Sequence, residues 1–88
     1  MTVRVRVAAL LYEYTGGKNV VEADGATIGA VMDDLDRQFP GVAFRVIDEQ
    51  GLVRRHVHVF VGETTATDRA TPVPAGVELF IVGALSGG

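Results

Sequence analysis

The chain has 88 residues, 48% of them hydrophobic and 22% charged, with a formal net charge of −3. That is the composition of one small globular domain, and without a basic block nucleic acid is not an expected partner, because such binding leans on clustered Lys and Arg. Cysteine is absent, which excludes disulfides, thiolate metal sites, cysteine-held iron–sulfur clusters and a persulfide on the chain itself.

The opening TVRVRVAA sets Val3, Val5 and Val7 on one side and Arg4 and Arg6 on the other, the period of a half-buried strand. MTVRVRV therefore reads neither as a signal peptide nor as a membrane span. A cytoplasmic protein with no membrane partner is expected. LLYEY fits an extended piece or a single helical turn. TGGK (Thr15–Lys18) reads as a hairpin turn into NVVEA (Asn19–Ala23), an antiparallel partner for the first strand. It lacks the spacing of a phosphate loop, and a strand rather than a helix follows it.

From Thr27 the period changes. Ile28, Val31, Met32, Leu35 and Phe39 form one apolar stripe, with Thr27 as N-cap and Pro40-Gly41 as the stop, which predicts a helix about 18 Å long. Gly29 costs such a helix about 1 kcal/mol relative to Ala, a cost that a close approach to the sheet would explain. VAFRVIDEQG reads as a short irregular or helical piece closing in a turn.

RRHVHVFVGE alternates again, with Val57, Val59 and Val61 opposed to His56, His58 and Phe60. A polar loop, TTATDRATPVPAG, leads to VELFIV, where Val77, Leu79 and Ile81 face inward and Glu78, Phe80 and Val82 outward. Strand, strand, helix, strand, strand predicts an α+β fold of the β-grasp (ubiquitin-like) kind. In such a roll a mixed sheet carries one main helix across one face, and the last strand runs centrally beside the first. The domain is set at residues 1–82, with residues 83–88 as a flexible tail. Val5, Ile28, Leu35, Val59, Leu79 and Ile81 are the predicted core.

Candidate chemistry is sparse. His56 and His58 sit two apart, but no third ligand completes a metal site, so none is expected. Asp33, Asp34 and Asp36 lie off the apolar stripe and read as a solvated face, and Ser86 has no partner base. Nothing in the chain resembles an enzyme's active site, and no bound cofactor is expected. The tail differs. Gly83, Ala84, Leu85, Ser86, Gly87 and Gly88 span about 20 Å when extended, and the final pair has no side chains to bar it from a narrow channel. It presents a bare carboxylate, which can be activated as an acyl-adenylate and then carry sulfur or form an amide.

GATIGAVMDDLDRQFPG (Gly25–Gly41), RRHVHVFVGE (Arg54–Glu63) and PAGVELFIVGALSGG (Pro74–Gly88) together resemble the ubiquitin-like sulfur-carrier family, the MoaD/ThiS group. TGGK, GAV within the helix and RRHVHVFV are similar to the CysO-like branch serving actinobacterial cysteine biosynthesis. The resemblance implies that an activating enzyme consumes ATP to adenylate Gly88 and that a donor, such as a persulfide-bearing sulfurtransferase, converts it to a thiocarboxylate. An acceptor enzyme then uses the sulfur for cysteine, molybdopterin, thiamine, a thiosugar or another metabolite. Many members carry prolines before the tail, where this chain has Gly83-Ala84-Leu85-Ser86, implying a looser tail and an open choice of partner. Two other functions stand beside this one: a protein modifier conjugated through Gly88, and a β-grasp binding module with an incidental tail. Lys18, the single lysine, weighs against self-chains. Strand alternation further predicts a docking patch of His58, Phe60, Phe80 and Val82, exposed beside the tail and joined by Leu85.

Overall fold

The computed structural model describes residues 2–83. Strand β1 (Thr2–Val7) shows the strict alternation read from its sequence, with Val3, Val5 and Val7 buried and the residues between them exposed. It pairs antiparallel with β2 (Val20–Asp24), Val5 opposite Val21, and parallel with β5 (Leu79–Gly83), Val5 opposite Leu79. β5 also pairs antiparallel with β3 (Val57–Val61), whose outer neighbour is β4 (Thr64–Ala66). The sheet order is β2-β1-β5-β3-β4, a mixed sheet with the first and last strands at its centre.

The connection from β1 to β2 is not a tight hairpin. A 3₁₀ turn (Ala9–Leu11) and the short helix α1 (Tyr12–Thr15) intervene, and TGGK closes that helix. Gly16 takes the left-handed conformation at φ 70°, which a side chain would resist, and the Gly17 amide donates to the Tyr12 carbonyl. Thr15 is buried and donates its hydroxyl to the Lys18 carbonyl at 2.9 Å.

Helix α2 (Ile28–Gln38) lays Ile28, Val31, Met32 and Leu35 on the sheet, all buried. Thr27 caps it, its hydroxyl oxygen accepting from the Ala30 amide at 3.2 Å. Gly29 does allow a close approach, but by the β4–β5 connection rather than by the sheet. Its amide donates to the Arg69 carbonyl at 2.9 Å, and a Cβ there would stand 3.0 Å from the Arg69 Cβ. A further short helix, α3 (Val42–Val46), buries Val42 and Val46 at i, i+4 and turns Phe44 outward.

Three further expectations need correction. Thr64–Ala66, read as part of a polar loop, forms the edge strand β4, too short to show a period of its own. β5 begins at Leu79, so Val77 precedes it, though it still packs half-buried against the core. Gly83, placed in the tail, is the last residue of β5 and pairs with Val57. The six predicted core residues, Val5, Ile28, Leu35, Val59, Leu79 and Ile81, are all buried. No helix among the described residues is long and apolar enough to cross a membrane.

Candidate functional site: the open sheet face and the root of the tail

The helices cover one face of the sheet, so the outward residues of each strand share the other. Phe60 on β3 stands opposite Phe80 on β5, His58 opposite Val82, and Arg6 on β1 lies beside Phe80. The sequence reading assigned His58, Phe60, Phe80 and Val82 to one patch, and the register brings these four together. They are less exposed than expected. Phe60, Phe80 and Val82 are half-buried, while His58 is exposed. The cause is mutual cover on a pleated surface, where side chains directly across a pair of strands shield each other. The rings of His58 and Phe60 stack with centroids 6.2 Å apart. Beside them Arg6 donates through Nε to Glu78 at 2.8 Å, a partly exposed ion pair at the border of the patch.

The patch adjoins the strand from which the tail departs. Gly83 ends β5 against Val57, and a Cβ on it would lie 3.3 Å from Leu10 Cδ2, so the side chain of the 3₁₀ turn packs against the tail's root. Ala84, Leu85, Ser86, Gly87 and Gly88, the other residues assigned to the tail, lie outside the described residues.

The remaining candidates fall apart as a site. His56 sits in the turn before β3 rather than on the strand with His58. Among the described residues no group of three His, Asp or Glu could hold a metal ion. The helical aspartates have structural partners rather than a merely solvated face. Asp33 receives Arg69 Nη2 at 2.8 Å, Asp34 pairs with Arg37 and accepts from the Asp24 amide at 3.0 Å, and Asp36 accepts from the Gly41 and Ala43 amides. Together they tie α2 to the β4–β5 connection, to β2 and to α3. Asp48 is held below the ordinary carboxylate value, first by the Leu52 amide and then by the Gln50 amide, with the Arg54 charge adding to the effect.

Sequence reasoning missed the outer surface of α3. Phe44 is 64% exposed and lies under the Arg54 guanidinium, whose carbon is 4.5 Å from the ring centroid. The signal was present in VAFRV, where valines four apart leave the intervening phenylalanine on the opposite side of any helix.

An aromatic patch on the open face of a five-stranded β-grasp sheet, with a Gly-Gly tail leaving its central strand, defines a ubiquitin-like carrier or modifier. Comparison with known proteins narrows this class. The chain matches the ThiS family over residues 5–88 and belongs to that family. It is 32% identical over 93 aligned positions to the sulfur carrier protein CysO of Mycobacterium tuberculosis, covering the whole of both chains. CysO in the Amycolatopsis orientalis BexX/CysO complex superposes with a TM-score of 0.87 at 30% identity, over 98% of this chain and 99% of the other. A SAMP1 structure, the small archaeal modifier protein of Haloferax volcanii, superposes at 0.77 with 28% identity over the whole of both chains. The role of this protein is that of a sulfur carrier.

Proposed function

We propose that the carrier works through Gly88. Its carboxylate attacks the α-phosphorus of ATP on an activating enzyme, pyrophosphate leaves, and the acyl-adenylate forms. The terminal sulfur of a persulfide donor displaces AMP to give an acyl disulfide. A second thiol cleaves its S–S bond, becoming part of a disulfide with the donor and releasing the thiocarboxylate, which a biosynthetic enzyme consumes. The supporting observation is a family match that runs to the final residue, on a chain with no cysteine to carry a persulfide. The glycines suit a channel that excludes side chains. The sheet face of Phe60, Phe80, Val82 and His58 holds the domain against the partner while the tail is inside it. The likeness to CysO favours the cysteine branch for the acceptor.

Deletion of Gly88 tests this directly. The shortened chain is expected to unfold at the same temperature as the parent and to accept no sulfur. Retained loading would mean that the carboxylate of Gly88 is not the carrier group. The likeness to a small archaeal modifier protein is the observation behind a second reading, conjugation of Gly88 to other proteins. Its lower identity and TM-score rank it behind the first.

A further inference from the structure

The most exposed large apolar side chains among the described residues lie away from the sheet face, on α3 and the segment that follows it. Phe44 is 64% and Leu52 46% exposed. Arg54 joins this surface to the turn before β3: it covers the Phe44 ring, and its Nε donates to the Phe44 carbonyl at 2.7 Å. Its Nη2 is buried with no acceptor among the described residues. Arg45 and Arg55 beside it are exposed.

Three arginines on this surface have no carboxylate partner, as is also true of Arg4 and Lys18 elsewhere among the described residues. Arg6, Arg37 and Arg69 each face a carboxylate, whereas Arg45, Arg54 and Arg55 have none within 4.0 Å among the described residues. Asp48, whose carboxylate feels the Arg54 charge, is already engaged by the Gln50 and Leu52 amides.

Location gives this cluster its meaning. Val57 pairs with Gly83, and the Val57 amide donates to the Arg54 carbonyl at 3.0 Å, so the Arg54–His56 turn flanks the point where the chain leaves β5. Five residues follow Gly83. Fully extended they reach about 17 Å. An enzyme that draws Gly88 into its active site must therefore bring the mouth of its channel up to the tail's root, and whatever surrounds that mouth covers the surface beside it.

We propose that Phe44, Leu52, Arg45, Arg54 and Arg55 form a second docking surface, which seats against an acidic, apolar-edged rim around the channel of the adenylating enzyme. The assignment rests on the carrier function proposed above. On a chain of net charge −3, a local cluster of guanidinium groups turns the molecule so that its tail end meets an acidic partner first. An arginine stacked on an exposed aromatic ring is the kind of pair that concentrates binding energy at interface centres.

The test is ATP–pyrophosphate exchange by the adenylating enzyme, titrated with carrier at low and high salt. Arg55→Glu and Phe44→Ser are each expected to raise the KM for carrier about tenfold, with kcat little changed. Arg55→Glu should also flatten the salt dependence of KM. Both side chains are exposed, so the unfolding temperature should hold. Arg37→Glu, on the exposed side of α2, changes net charge equally and is expected to leave KM near the parent value. A parent-like KM for both Arg55→Glu and Phe44→Ser overturns the surface, and so does an equal effect from Arg37→Glu. A parent chain that supports no exchange overturns the carrier function beneath it.

Discussion

The packing of Phe80 and the docking role proposed for it are separable by measurement. Across the strand pair it covers Phe60, and along the parallel pair it lies beside Arg6. Its half-burial means that Phe80→Ala gives up some apolar contact, but far less than a core truncation. Binding to the activating enzyme is expected to weaken by about 1–3 kcal/mol, as it does when an interface aromatic is lost. Calorimetric titration checks this against a thermal melt of the same variant. A variant that binds like the parent would place the docking face elsewhere. Asp48 offers a second residue-scale test. Its folded-state pKa is depressed, so the stability it contributes is complete above the ordinary carboxylate pKa and is lost as the pH falls through the lower folded value. As the pH falls below the ordinary carboxylate range, the parent should lose more stability than Asp48→Ala. Equal losses would show that the Leu52 and Gln50 amides do not hold the carboxylate as the geometry indicates.

Among the elements, α2 was the most readily inferred. Its stripe, its Thr27 cap and its stop are all local features, and the buried residues follow the stripe. Leu35→Ala should cost about 2–5 kcal/mol in chemical denaturation, because the side chain is 1% exposed and leaves a cavity. Gly29 shows what local reading misses. By helix propensity alone, Gly29→Ala would stabilise by about 1 kcal/mol. The Arg69 Cβ, 40 positions away in sequence, occupies the space that the new methyl would need. The melting temperature of Gly29→Ala is therefore expected to fall, and a rise would mean that the β4–β5 connection yields easily. The same limit explains the other differences. β4 is a three-residue edge strand specified by β3 rather than by its own pattern, and TGGK belongs to a helix end that no strand period announces. The outer face of β3 and β5 was legible because strand alternation assigns faces without tertiary information. How far each ring was covered by its neighbours was not, since that depends on register.

At the scale of the whole molecule the fold separates support from delivery. One side of the sheet is closed by helices around a continuous apolar core, and the other stays open beside a tail that leaves from β5, one of the two central strands. The mechanism proposed above uses this division, because the domain must stay folded while its end group changes. The most direct test is the intact mass of the chain after incubation with its activating enzyme, ATP and a sulfur donor, measured alongside the chain lacking Gly88. The account predicts that the full chain gains the mass difference of one sulfur replacing one oxygen and that the shortened chain does not change. An unchanged full chain, or a shortened chain that gains the same mass, would contradict it.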